Sequence, residues 1–187
     1  MLKKTFEQLI ETQGKDLSLV AIEKAYAEKH GLTTEANEKA LSVSVLERLN
    51  KETEQLIEAE GETFLQTPIN YLKENQEEFV YAEMIELDHI RTDAFALEFD
   101  EVFQTYTAMF AVALQKKYKQ DIQAHLLGTM DIEQYKSSVA FADKEGVWEM
   151  NIALDGVTGF SETLTFAQVY ELLYNFVFTL LEKIEQA

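Results

Sequence analysis

The sequence predicts an α+β fold that is mostly helical, with a C-terminal three-stranded antiparallel β-meander packed against long helices. Three observations predict it. The 187 residues include one proline and seven glycines, so few positions oblige the chain to turn, and this favours long helices over a many-turned sandwich. Apolar residues recur three and four apart along most of the chain. Past residue 135 the period changes to two: Trp148, Met150, Ile152 and Leu154 alternate with Glu149, Asn151 and Ala153, the pattern of a strand with one buried face.

The elements follow in order. Thr5 and Gln8 have the form of a capping box and Gly14 that of a C-terminal glycine, which predicts a helix over 5–13. A second helix is expected over 16–30, with Leu19, Ile22 and Tyr26 on one face and Gly31 beyond its end. Leu41, Val45, Leu46, Leu49, Leu56 and Ile57 predict a third over 35–60, weakened at Ser42–Ser44. Thr67-Pro68 reads as a helix start, followed by Ile69, Leu72, Phe79, Val80, Met84, Leu87 and Ile90 at helical spacing. Residues 78–88 fit a strand as well as a helix, and so do 121–128. From residue 93, Phe95, Phe99, Val102, Phe103, Tyr106, Phe110 and Leu114 predict a helix reaching Gln120; the alternation Phe95-x-Leu97-x-Phe99 is outweighed by that longer register.

In the C-terminal part, Asp143-Lys144-Glu145-Gly146 is a hairpin loop with glycine where a left-handed residue is needed. Asp155-Gly156 is a second hairpin signal, leading to a short third strand within 157–164. Thr165 with Gln168 is a capping box for a last helix carrying Phe166, Val169, Leu173, Phe176, Val177, Leu180 and Ile184. Its apolar residues cover most of its circumference, so it should sit centrally, against Trp148, Met150, Ile152 and Leu154. A soft boundary between Gly61 and Pro68 divides an N-terminal helical segment, 1–66, from an α+β core, 67–187, within one compact domain.

Chemistry is sparse. There is no cysteine, which excludes disulfides, thiolate metal sites and cysteine nucleophiles. The sequence contains neither a glycine-rich nucleotide loop nor a Gly-x-Ser-x-Gly elbow, so no catalytic residues and no cofactor are assigned. Gly156-Val157-Thr158-Gly159 lacks basic neighbours and reads as a turn. Glu86 and His89 stand one helical turn apart, with Asp93 four residues on. That is the spacing of a helix-borne metal site, yet no second such motif completes it, so no metal is assigned beyond these three candidates.

Charge is the most informative property. The net charge is −18, from 34 acids and 16 bases. Such a field repels phosphate, which argues against nucleic acid and against an anionic membrane surface. Residues 74–101 hold ten acids against Arg91 alone, half of the net charge. Glu74, Glu77, Glu78, Glu83 and Glu86 are the candidate docking residues for a basic protein partner, steered by that field. Met1-Leu2-Lys3-Lys4 runs into Thr5-Phe6-Glu7-Gln8 rather than an apolar stretch, so a cytoplasmic location is expected. The sequence thus reads as a non-catalytic interaction or regulatory protein. The alternative is a small-molecule-binding protein or a carboxylate-dependent enzyme with a helix-lined pocket. Acids facing solvent on one surface favour docking; inward acids held protonated in a pocket favour the enzyme.

Overall fold

A computed structural model of the protein describes residues 1–14, 17–32 and 36–186. The starts expected for two helices, at 16 and 35, lie outside these residues. The elements are α1 (Leu2–Gln13), β1 (Ser18–Leu19), α2 (Ala21–Lys29), β2 (Asn37–Glu38), β3 (Val43–Asn50), β4 (Leu56–Ala59), α3 (Tyr71–Glu74), β5 (Glu78–Met84), β6 (Phe95–Asp100), β7 (Thr105–Val112), α4 (Lys119–Thr129), β8 (Ser138–Ala142), β9 (Val147–Ala153) and α5 (Phe166–Gln186). Short 3₁₀ turns occupy Glu62–Gln66, Ile85–Ile90, Lys116–Tyr118 and Leu154–Gly156. No helix among the described residues is long and apolar enough to cross a membrane.

The centre is a seven-stranded sheet in the order β4-β3-β5-β6-β7-β9-β8, and every neighbouring pair is antiparallel. This corrects the expected fold. The molecule is α+β, but it is neither mostly helical nor built on a C-terminal three-stranded meander. The helices expected over 35–60 and from 93 to 120 are replaced by β3 with β4 and by the β6–β7 hairpin, and of the two alternatives left open for 78–88 the structure takes the strand, β5, followed by a 3₁₀ turn. Residues 157–164 form no third strand; single bridges pair Met130 with Val157 and Pro68 with Thr165. The Asp155-Gly156 signal is a 3₁₀ turn in which Gly156 is packed so closely that an added Cβ would lie 3.0 Å from the Tyr135 Cβ.

The physical reason is visible in β6 and β7. Phe95, Leu97 and Phe99 are buried, as are Tyr106, Ala108, Phe110 and Val112, with half-buried residues between them. A period of two also places residues four apart on one face, so Phe95 with Phe99, or Tyr106 with Phe110, satisfies both templates. What separates them is the residue at i+2, and Leu97 and Ala108 are inward. The hairpin tip carries Val102 and Phe103, 84 % and 66 % exposed, which a helical register would have buried. Its turn is made without glycine or proline: Asp100 Oδ1 accepts the amides of Val102 (2.8 Å) and Phe103 (3.0 Å), and Gln104 adopts φ 54°. Asn50 does the same between β3 and β4, accepting from Glu52 and Thr53, with Glu54 at φ 54°.

The β8–β9 hairpin and α5 are as expected. Gly146 turns with φ 72°, and Trp148, Met150 and Ile152 are buried on β9. The capping box of α5 forms in both directions: Thr165 N–H donates to Gln168 Oε1 at 2.9 Å and Gln168 N–H to Thr165 Oγ1 at 3.3 Å. Eleven α5 residues are buried, so this helix is the main cover of the sheet's inward rows. Each such side chain contributes about 1.5–3 kcal/mol relative to exposure. Helices α1, α2 and α4 pack around α5, through Phe6 against Phe178, the Tyr174–Glu23 bond, and His125 against Phe176.

Candidate functional site

All of that helical cover lies on one side of the sheet. The other face is formed by the residues that alternate with the buried rows. Residues opposed across an antiparallel ladder share a face. Glu47 opposes Tyr81, Tyr81 opposes Ala96, Ala96 opposes Met109, and Met109 opposes Asn151. In the next row Leu56 and Phe79 flank Leu49, and Phe79 opposes Glu98. Leu49, Phe79, Tyr81 and Met109 are half-buried, and Leu56 is 55 % exposed. An apolar strip thus crosses the outer half of the face, with Glu47, Glu83, Glu98, Asp100 and Glu149 along and around it.

The electrostatics centre on Tyr81. Its O–H donates to Glu83 Oε1 at 2.7 Å. Burial, that hydrogen bond and the charges of Glu83, Asp93 and Glu47 push the phenol up to about 12. Glu98 is raised above the usual carboxylate range by burial, which Lys51 opposes and Asp100 reinforces. The Lys51 ammonium is itself engaged, donating to the Phe99 carbonyl at 2.6 Å and standing 3.9 Å from Glu98. The face therefore presents negative charge beside uncovered carbon.

The docking residues read from the sequence are dispersed by the strands. Glu83 lies on this face. Glu74 and Glu77 are exposed at the end of α3 and in the turn after it. Glu78 points to the covered side, where Arg48 and the Tyr71 hydroxyl bind it at 3.0 and 2.9 Å. Glu86 is fully buried, paired with Lys39 at 2.6 Å and accepting the Ser42 amide at 2.8 Å. Burial alone would raise it, but those two partners outweigh burial and its carboxyl titrates below the usual range.

The metal candidates separate as well. Glu86 and His89 sit on one 3₁₀ turn, but His89 Nδ1 meets Glu23 Oε1 at 2.6 Å while Glu86 is held by Lys39. Asp93 is exposed and acts on Tyr81 instead. Among the described residues no three His, Asp or Glu side chains are grouped so as to hold a metal ion. Sequence reasoning missed Glu47, Tyr81, Glu98 and Glu149 as members of one surface. The usable signal was the i+2 spacing of Phe79, Tyr81 and Glu83, and of Ala96, Glu98 and Asp100. In comparisons with protein-family models, curated proteins and solved structures, nothing matches this chain.

Proposed function

We propose that the protein is a non-catalytic docking protein of the cytoplasm that binds a basic protein partner on the uncovered face of its sheet. One observation carries the reading: the apolar strip through Leu56, Leu49, Phe79, Tyr81 and Met109 is bordered by carboxylates and has none of the described helices over it. Exposed carbon rimmed by charge of one sign is the composition of an interaction surface, with the carbon contributing contact area and the charge selecting and steering the partner. A nucleic acid or an anionic membrane would be repelled by the same field. The enzyme alternative calls for inward acids held protonated in a pocket, and the inward acids of the docking set, Glu78 and Glu86, are paired with Arg48 and Lys39 instead.

The test is capture from native extract by immobilised protein, with two reversed variants. Glu47→Lys/Glu83→Lys alters the face; Glu11→Lys/Glu28→Lys makes the same change of charge on α1 and α2. The expected outcome is that wild type and the helix variant retain the same basic protein in a salt-sensitive manner, and that the face variant loses it. Retention by all three, or loss in both variants, would show that the face has no specific role.

A further inference from the structure

The sheet ends in two edge strands, β4 and β8, and they are built differently. An uncovered edge offers a row of main-chain donors and acceptors to any other strand, and proteins blunt it with charge, a bulge or proline. β4 is blunted. It carries Glu58, and its register shifts between Arg48 and Leu49, which leaves Ile57 as an extra residue in the ladder. β8 is not. Its sequence, Ser138-Val139-Ala140-Phe141-Ala142, has no charge and no proline, and it pairs with β9 residue for residue without a shift.

The ladder fixes which groups of β8 are open. Ala153, at the end of β9, turns its amide toward β8 and donates to Ser137 Oγ at 3.0 Å. In an antiparallel ladder the N–H and C=O of one residue point the same way, and the direction alternates along the strand. Ser138, Ala140 and Ala142, opposite Asn151, Glu149 and Val147, therefore bond to β9, and Val139 and Phe141 turn theirs to the open edge. Neither makes a main-chain hydrogen bond to a described residue outside the strands. Their side chains oppose Met150 and Trp148 on the inward face and are only half-buried there.

The strand is symmetric about Ala140: small, large, small, large, small. A second β8 laid antiparallel, with Ala140 on Ala140, sets Val139 against Phe141 on one face and Ser138 against Ala142 on the other. Val139 of each copy then exchanges a pair of hydrogen bonds with Phe141 of the other, and the two side chains make a favourable aromatic–β-branched pair. Charge permits this here as it does not elsewhere. Residues 134–148 hold Lys136 and Lys144 against Asp143 and Glu145 and sum to zero, in a chain of −18. The pairing lays Lys136 of each copy beside the loop of the other that carries Asp143 and Glu145. The acid nearest within the ladder, Glu149, stands one strand in. The Glu149 residues of two copies would be three strand spacings apart, about 14 Å, which exceeds the Debye length of about 8 Å at physiological salt.

We infer that β8 joins two copies of this chain edge to edge into an antiparallel dimer with one continuous sheet. Both docking faces then lie on the same side of the joined sheet. The dimer does not rest on the docking reading: Glu47→Lys/Glu83→Lys leaves it in place, and either can fail alone.

Because the chain has no cysteine, disulfide capture tests the pairing directly. Ala140 meets Ala140 as a non-hydrogen-bonded pair with Cα atoms about 4.5 Å apart, within the reach of a disulfide. Ala140→Cys should oxidise to a covalent dimer at least about tenfold faster than Ala59→Cys, an exposed control on β4. In sedimentation equilibrium the wild type should reach twice its 21.5 kDa mass reversibly. That dimer should tighten as salt screens the net charge, the opposite of the salt response of a basic partner. Ala140→Lys alters an exposed side chain, so it should keep the circular dichroism of wild type and weaken the dimer at least about tenfold by setting like charges opposite one another. A wild type still monomeric at about 0.5 mM, a dimer indifferent to Ala140→Lys, or equal oxidation rates in the two cysteine variants overturns the proposal.

Discussion

Two buried carboxylates, Glu23 and Glu86, look alike in burial and differ in how replaceable they are. Glu23 satisfies the Tyr174 hydroxyl and the Val20 amide, both held on helix termini or interiors that cannot turn to water. Glu86 satisfies Lys39, which is 33 % exposed on its side chain and can swing outward, and the Ser42 amide, which is only partly buried. Each buried group left unpaired costs about 1–3 kcal/mol. Glu23→Ala should therefore destabilise by about 2–5 kcal/mol and Glu86→Ala by less, as read from urea midpoints; the reverse order would mean that Lys39 is trapped. His125 provides a pH-dependent counterpart. It packs on Phe176, and burial, then the neighbouring Lys183 charge, push its imidazole down to about 4 from 6.5. Between those values the unfolded chain binds a proton that the folded protein refuses, so this residue's contribution to stability is present above about 6.5 and is lost as pH falls toward 4. His125→Gln removes that slope. The gap in urea midpoint between wild type and variant should narrow as pH drops from 7 to 4, and a constant gap would mean that His125 titrates as it does in the unfolded chain.

At the level of elements, the turns decide the fold. A chain poor in glycine and proline turned at Asn50 and Asp100, whose side chains accept two backbone amides each, and placed Glu54 and Gln104 in left-handed geometry. Gln104→Gly should raise stability by up to about 1 kcal/mol by removing the Cβ from that conformation, whereas Asp100→Ala should lower it by about 1 kcal/mol. If both variants melt with wild type, the tip is not fixed as described. These turns also explain what was legible in the sequence. The β8–β9 hairpin and α5 were readable because each carries an unambiguous signal: strict alternation with Gly146, and a Thr165–Gln168 box before a long apolar helix. Trp148→Ala should accordingly cost about 3–5 kcal/mol, since the indole is 4 % exposed, meets Phe141 edge-on and donates to the Gln115 carbonyl at 3.3 Å. The middle of the chain was misread because Phe95, Phe99, Tyr106 and Phe110 fit both periods, and because an aspartate that makes a turn looks like one more surface acid.

For the whole molecule, a net charge of −18 acts on both stability and association. The acidic excess of residues 74–101 was plain in the sequence, but its division between a solvent face, an Arg48 pair and a buried Lys39 pair depended on strand register, and Glu47 and Glu149 enter the face from outside that window. Self-repulsion among the carboxylates is screened as the Debye length falls from about 30 Å at 0.01 M salt to about 8 Å at 0.15 M. The melting temperature should rise over that range. Glu47→Lys/Glu83→Lys should raise it further at low salt while losing the captured partner, a gain in stability obtained by giving up the docking surface. A melting temperature indifferent to salt would show that the charges are too dispersed to repel.

The position of α5 in the chain has a consequence for how the protein is made. Every strand precedes it, yet it supplies eleven of the buried side chains that close the sheet's inward rows. On the ribosome, Val80, Leu97, Ala108 and Ile152 leave the exit channel before the helix that covers them. For that interval the nascent chain is an open apolar sheet with both edge strands free, the condition in which chains associate with one another or are held by chaperones. Soluble yield should therefore follow chaperone supply and growth temperature.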